Sequence, residues 1–278
     1  MSPPIGKAVK RETGRDTMNR ARARAALVPD LLIEAHHVAN SVYSGWHGRK
    51  KRGVGENFWQ FRPYVVGESL ARIDWRRSAR DHHIYVQDKE WQAAHTVWFW
   101  IDESPSMLFK SEFSTVSKQS RALVVMFALA ELLARSGERV GLLGLTGPVL
   151  SRNAPSILAE AMLAGETGSR IPQHVDLGSH SELILLSDFL NPLEETAEDL
   201  KRLAGRGGTR GHLIHILDPA EELFPYQGRV EFSDPESGDS IIVGNAESMK
   251  RSYQDELAAR SVSFRQMTNR LGWSYTTH

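Results

Sequence analysis

The stretch TVWFWIDESPSM, from Thr96 to Met107, is the most informative part of the chain about its architecture. Its first seven residues, Thr96 to Asp102, are typical of a buried strand, and this strand ends on a carboxylate. Ser104 and Ser106 follow at alternate positions, a spacing that turns both side-chain oxygens to one side of an extended loop. The strand is therefore predicted to deliver Asp102 and the two serines to the ligand-binding edge of a sheet.

Apolar strands and helices alternate in the chain that follows this stretch. Strands are predicted at RVGLLGL, ELILLSDF and GHLIHIL, and helices at SKQSRALVVMFALAELLARSG, APSILAEAML and NPLEETAEDLKRLAGRG. The alternation predicts an α/β fold with a doubly wound, mostly parallel sheet that carries helices on both faces. RVEFSDPESGDSIIVG is a predicted hairpin, a helix is expected over about 246–271, and WSYTTH is a candidate last strand.

The chain before Thr96 has a different composition. Residues 1–26 contain few large apolar side chains and are predicted to form a basic flexible tail. Residues 27–95 are predicted to hold a helix and a smaller β-rich segment, with strands at NFWQFRPYVV and HHIYVQDKEW. Residues 96–278 then form the predicted α/β domain.

The charges of this 278-residue chain sum to zero but are unevenly distributed. Residues 1–52 hold 11 Lys and Arg against 4 Asp and Glu, a balance of +7, and the remainder therefore carries −7. Nucleic-acid binding through 7–24 and GRKKR (48–52) is one interpretation, although a solvated basic tail is the simpler one. With no Cys, no secretory signal and no apolar run long enough to span a bilayer, the chain is expected to be cytoplasmic.

Two predicted strands end on aspartate, WFWID at Asp102 and ELILLSD at Asp188. If these strands are neighbours, the two carboxylates converge at the carboxyl edge of the sheet, where α/β proteins bind ligands. Together with Ser104 and Ser106 they form an all-oxygen set, which suits Mg²⁺ or Mn²⁺ better than zinc. A helix cap or turn is the alternative interpretation of the same residues.

The Asp-x-Ser-x-Ser pattern resembles the metal-ion-dependent adhesion site of von Willebrand factor A domains. YVVGESLARIDWRRSAR followed by VWFWIDESPSM, LLSDFL and LDPAEE also resembles the bacterial family known as domain of unknown function 58, over roughly residues 30–275. This resemblance implies a von Willebrand factor A-like fold and a divalent cation near Asp102, Ser104, Ser106 and Asp188. It further implies a working partnership with a MoxR-type AAA+ ATPase.

A complete adhesion site adds a threonine from a later loop, and the corresponding segment here is AGETGSRIPQHVDLGSHSE. Thr167 is the candidate and Ser169 the next choice. The segment is rich in Gly and Pro and is predicted to lack the usual helix.

RIDWRRSAR is the other distinctive stretch. Asp74 lies among Arg72, Arg76, Arg77 and Arg80, which favours a salt-bridged corner with Trp75 as its buried anchor. A partner-docking surface that includes Arg72, Asp74, Trp75, Arg76 and Arg77 is the alternative. DPESGD (234–239) is predicted to be a hairpin turn rather than a calcium loop, and DPAEE (218–222) a turn and helix start rather than a site.

The signatures of common enzymes are missing from the sequence, including G-x-x-x-x-G-K-[ST], G-x-S-x-G and H-E-x-x-H. The favoured function is a non-enzymatic protein-interaction module, an adaptor for the AAA+ ATPase in assembly, maturation or stress tolerance. No small-molecule substrate is evident. A metal-dependent phosphoester hydrolase that uses the same carboxylates is the alternative, but no general base or second metal is evident.

Overall fold

The computed structural model describes residues 28–40, 58–66, 69–70, 73–80, 83–89, 95–165, 167–173, 177–178, 181–205 and 208–278. The chain divides into two units, a smaller one within Ser44–Ala94 and a larger one that combines helix α1 (28–40) with His95–His278. The predicted tail 1–26, the basic segments 7–24 and 48–52, and Arg72 lie outside the described residues.

The smaller unit contains an antiparallel pair of strands, β1 (Phe58–Pro63) and β2 (Tyr85–Lys89), and the short helix α2 (Trp75–Ser78). Helix α2 falls in the middle of RIDWRRSAR. Asp74 caps this helix, since its Oδ1 accepts a hydrogen bond from the Arg77 N–H at 2.9 Å. The Arg77 guanidinium lies over the Tyr85 ring, 5.4 Å from its centroid.

The prediction that Trp75 is a buried anchor is wrong, because this residue is 62% exposed. It opens the one-turn helix α2, which buries none of its own residues. In the structure this stretch therefore forms a capped turn, in which Asp74 and Arg77 make the local contacts.

The strands of the larger unit, in chain order, are β3 (Thr96–Ile101), β4 (Arg139–Leu142), β5 (Ser181–Ser187), β6 (Arg210–His215), β7 (Val230–Ser233), β8 (Ser240–Val243) and β9 (Ser274–Thr277). Its helices after α1 are α3 (Lys118–Arg135), α4 (Ala154–Ala164), α5 (Leu193–Ala204), α6 (Pro219–Leu223) and α7 (Lys250–Arg270). Single 3₁₀ turns are formed by Pro105–Leu108 and Ala246–Met249.

Five of these strands form one parallel sheet in the order β4-β3-β5-β6-β9. The predicted α/β architecture with a parallel sheet is confirmed. Strands β7 and β8 pair antiparallel as a separate hairpin, as RVEFSDPESGDSIIVG predicted. DPAEE forms the start of α6, also as predicted, with Asp218 as the capping residue.

Strand β3 is apolar and buried from Val97 to Ile101 because helices cover both faces of the sheet. Its residues Val97, Phe99 and Ile101 belong to a core shared with α1, α3 and α4. The alternate residues Trp98 and Trp100 belong to a second core shared with α5 and α7. This period-2 division is the one that a strand buried on both faces requires.

Helix α1 packs into the first of these cores through Leu31, Ala35 and Ala39, all of which are buried. Their spacing of four residues places them on one face of the helix. The sequence grouped this helix with the β-rich segment of 27–95, whereas the structure joins it to the larger unit. The reason is that its apolar face completes the core beside β3.

Candidate functional site

The site lies at the carboxyl ends of β3 and β5. From β3 the chain passes to β4 on one side and then crosses to β5 on the other, so the winding reverses between β3 and β5. Open α/β sheets bind their ligands in the crevice at such a reversal. Asp102 follows β3 directly and Asp188 follows β5, so that the two carboxylates share this crevice edge.

Asp102 is held by its own loop and by the neighbouring strand. Its Oδ1 accepts a hydrogen bond from the Ser104 N–H at 2.8 Å, and its Oδ2 accepts one from the Ser187 hydroxyl at 2.6 Å. The Ser104 and Ser106 hydroxyl oxygens lie 3.0 Å apart. All four residues are buried, so their oxygens face one another rather than bulk water.

Asp188 has a different surrounding. Its Oδ2 lies 2.9 Å from the Lys118 ammonium, which also lies 2.7 Å from Glu221 Oε1. The Lys118 side chain is only 1% exposed. Helix α3 therefore contributes a buried cation that links the end of β5 to α6.

The loop after β3 is also tied to α6. The Asp218 Oδ1 atom accepts a hydrogen bond from the Ala220 N–H, and its Oδ2 accepts one from the Ser111 N–H at 3.0 Å. Glu221 closes the capping box by accepting a hydrogen bond from the Asp218 N–H. DPAEE is thus a helix start, as predicted, and it also forms one wall of the site.

Thr167 lies buried beside the end of β3. Its hydroxyl donates to the Ile101 carbonyl at 2.6 Å, and its N–H donates to Glu103 Oε2 at 2.8 Å. The oxygen of this hydroxyl retains acceptor capacity because only its hydrogen is used. The Thr167 hydroxyl therefore lies next to the backbone that carries Asp102.

The electrostatic environment of Asp102 favours a nearby cation. Burial raises the pKa of this carboxyl, Asp188 adds to the increase, and the hydrogen bonds from Ser187 and Ser104 oppose it. Burial without a counterion disfavours the charged form of an acid. A bound positive charge would relieve this penalty.

The pKa of the buried Lys118 ammonium is shifted in the direction that favours its charged form, in contrast to the pKa of Asp102. Burial alone would lower the pKa of its ammonium, but the attraction of Asp188 and Glu221 outweighs burial, and the net shift is upward. Lys118 is therefore charged at neutral pH and serves as a permanent counterion for Asp188 and Glu221.

His215 is the last residue of β6. It lies next to Asp188 at the end of β5 and is almost fully buried. Its Nδ1 hydrogen-bonds to the Tyr275 hydroxyl at 2.6 Å, and its Nε2 has no hydrogen-bond partner among the described residues. Burial and the nearby Lys118 ammonium lower the pKa of His215 to about 4, against the opposing effect of Asp188. The imidazole is accordingly neutral at physiological pH.

The geometry of the hydroxyl pair fits Mg²⁺. Ligands about 2.1 Å from an octahedral ion stand about 3.0 Å apart when they are adjacent. The 3.0 Å separation of the Ser104 and Ser106 oxygens is close to this value. In the described part of the chain, no group of three or more His, Asp or Glu side chains is arranged to hold a metal.

Several residues of the site were missed by sequence reasoning. The position of Lys118 in the sequence could have indicated a special role, because a cation in the first turn of a helix interacts unfavourably with the helix dipole. Ser187 stood directly before Asp188 at the strand end. Glu221 and His215 belong to separate later segments, and nothing in their local sequence indicated that the chain brings them to this edge.

The fold and the site define an α/β protein with a buried hydroxyl and carboxylate cluster at the switch point of its sheet. The family model "Protein of unknown function DUF58" matches residues 60–162 and 175–263, well over half of the chain. The chain belongs to this family.

Its curated relatives include uncharacterized proteins of Mycobacterium bovis and of two Mycobacterium tuberculosis strains. Each is 25% identical over 237 residues, which cover 77% of this chain and 71% of the relative. No helix among the described residues has the length and apolar character needed to cross a membrane.

Two solved structures are similar to parts of the chain. The conserved hypothetical protein BatB from Bacteroides thetaiotaomicron is 15% identical, with a TM-score of 0.36, and the match covers 66% of this chain and 90% of that one. An uncharacterized membrane spanning protein from Vibrio fischeri is also 15% identical, with a TM-score of 0.20 and coverage of 66% and 91%.

Proposed function

We propose that this chain is a non-enzymatic protein-interaction module of the von Willebrand factor A type. Its site holds Mg²⁺, or Mn²⁺ in its place, among Asp102, Ser104, Ser106 and Asp188, with Thr167 as a further candidate ligand. The observation that carries the proposal is the buried pair of serine hydroxyls, 3.0 Å apart, beside a carboxylate that contacts no cationic side chain among the residues that the structure describes.

When bound, the cation supplies a positive charge to which a carboxylate of a partner protein can bind. The residues of this chain prepare the site for it. The Ser104 amide and the Ser187 hydroxyl orient Asp102, and Lys118 keeps the Oδ2 atom of Asp188 occupied. Among the described residues, the Oδ1 atom of Asp188 accepts only a long hydrogen bond, 3.4 Å, from the Leu190 N–H. This oxygen is the one that remains for the cation.

Exposed apolar side chains occupy the same loops and support a protein as the ligand. They are Leu108, Phe109 and Phe113 after β3, Leu190 after β5, and Leu223 in α6. Protein interfaces commonly combine apolar and aromatic side chains with a few well-placed polar groups. These side chains are suited to form the rim of an interface whose centre is the cation.

The proposed partner is a MoxR-type AAA+ ATPase, with the chain acting as a cytoplasmic adaptor in assembly, maturation or stress tolerance. The family resemblance supports this partner. The missing nucleotide-binding motif is consistent with a division of labour in which the ATPase supplies the nucleotide chemistry.

Thermal unfolding with and without Mg²⁺ or Mn²⁺ tests the proposal directly. At about 100 times the dissociation constant, the ion should stabilise the wild type by about 2.7 kcal/mol. Asp102→Ala should abolish this stabilisation, whereas Asp255→Ala, at an exposed position on α7, should retain it. A wild type with the same unfolding temperature in Mg²⁺, Mn²⁺ and EDTA would contradict the proposed site.

The partner is tested separately by titrating the purified ATPase into the chain in Mg²⁺ and in EDTA. Binding should weaken at least tenfold in EDTA and in Asp102→Ala. Equal affinity under all these conditions would show that the partner docks elsewhere.

A further inference from the structure

The hairpin of β7 and β8 makes an unexpected contact with the candidate site. The Oε1 atom of Glu236, in the turn of this hairpin, accepts a hydrogen bond from the Ser106 N–H at 3.0 Å. The two residues are 130 positions apart in sequence. A carboxylate of this chain therefore already lies against one of the serines proposed to bind the cation.

The turn that carries Glu236 is internally braced. The Asp234 Oδ1 atom accepts a hydrogen bond from the Glu236 N–H at 2.8 Å, and its Oδ2 accepts one from the Ser237 hydroxyl at 2.9 Å. Gly238 has a φ of 79° and donates its N–H to the Asp234 carbonyl. A positive φ favours glycine, so the sequence of the turn is suited to this one shape.

The hairpin is attached to the rest of the unit by aromatic packing. Phe232 of β7 stacks on Phe224, with ring centroids 6.0 Å apart. Phe224 also packs against Tyr253 of α7, with ring centroids 4.9 Å apart. Phe224 directly follows α6, whose Glu221 binds Lys118. One end of the hairpin is therefore anchored beside the site, while its strands are largely exposed and its turn reaches Ser106.

Glu236 itself is an exposed residue, although the amide that it contacts is buried at the site. Within the described part of the chain, its hold on the site consists of one hydrogen bond between a charged acceptor and a backbone N–H. Such a bond is strong enough to be populated and weak enough to be exchanged for another carboxylate.

We propose that Glu236 is a resident carboxylate that occupies the place of the partner's acidic group, so that the β7–β8 hairpin gates the site. This inference rests on the proposed cation-dependent binding of an acidic group. The partner's carboxylate displaces Glu236, and the hairpin turn moves away from Ser106. If the closed form makes up about nine tenths of the molecules, the apparent affinity for an external carboxylate is about tenfold below that of the open form.

The test compares the wild type, Glu236→Ala and the control Glu231→Ala. Glu231 is exposed on the same hairpin, and its carboxylate accepts a hydrogen bond from the Ser240 hydroxyl of that hairpin. The probe is the tripeptide acetyl-Gly-Glu-Gly-amide in saturating Mg²⁺, with the Gln tripeptide as the neutral comparison. Peptide affinity is measured by NMR titration, and exchange of the Ser106 amide by hydrogen–deuterium exchange.

The proposal expects Glu236→Ala to bind the Glu tripeptide about tenfold more tightly than the wild type and to exchange the Ser106 amide faster. Glu231→Ala should match the wild type in both measurements. Equal tripeptide affinity in the wild type and Glu236→Ala, with Mg²⁺ bound by both, would overturn the gate while the proposed cation site stands. Absence of Mg²⁺ binding in both would overturn the proposed function and this inference with it.

Discussion

Asp102 and Asp188 lie at the same edge of the sheet but are held in opposite ways. Asp188 shares a buried ammonium with Glu221, so its charge is balanced by the fold itself. Asp102 receives hydrogen bonds from an amide and a hydroxyl, and burial raises its pKa. The difference is that Asp188 has a counterion within the fold, whereas the described residues place no cationic group in contact with Asp102.

The largest expected effect comes from removing the internal counterion. Lys118→Met should destabilise the protein by about 3–5 kcal/mol, because Asp188 and Glu221 would lose their buried partner. Chemical denaturation at pH 7 measures this loss. Lys201→Met, at an exposed position on α5, is the control and should change stability by less than about 0.5 kcal/mol. A loss below 1 kcal/mol for Lys118→Met would remove the distinction between the two aspartates.

A smaller effect is expected from His215, which adjoins the β5 side. Its pKa is about 4 in the folded state and 6.5 in the reference state, so the unfolded chain binds more protons between these values. Its contribution to stability is complete above about pH 6.5 and is lost as the pH falls toward 4, by about 3 kcal/mol in all.

Denaturation curves from pH 7 to 4 check this dependence. His215→Gln should lose stability less steeply than the wild type as the pH falls, since the titrating imidazole is gone. His212→Gln, on the same strand but only half-buried, should keep the wild-type slope. The same slope in His215→Gln and the wild type would show that this imidazole is not the group that titrates.

The smallest expected effects have opposite signs at the two aspartates. Asp102→Asn should stabilise the metal-free protein by about 1 kcal/mol at pH 7, because an uncompensated buried charge is removed. Asp188→Asn should destabilise it by about 2 kcal/mol, because Lys118 loses one of its two carboxylates.

The gain in Asp102→Asn should also depend on pH. The folded-state pKa of Asp102 is raised, so its ionisation opposes folding above that pKa and has no effect below the unfolded value of 3.8. The advantage of Asp102→Asn should therefore disappear near pH 3. Two variants that shift stability in the same direction at pH 7 would contradict the proposed contrast.

Local sequence was sufficient to predict the parallel sheet, the β7–β8 hairpin and the carboxylates and serines that follow β3 and β5. These features depend on hydrophobic period, turn residues and strand ends, which nearby residues decide. Local sequence was insufficient to predict that Trp75 is exposed, because burial of a large side chain depends on whether another element covers it.

It follows from the order of the amino acids alone that two buried strands end in aspartate and that two serines follow the first of them. The contacts of Lys118 with Asp188, of Ser187 with Asp102 and of Glu236 with Ser106 are visible only in the folded chain. These contacts join residues that are 70, 85 and 130 positions apart. Charge pairing acts through space, so the environment of each carboxylate is set by the packing of α3, β5 and the hairpin rather than by its sequence neighbours.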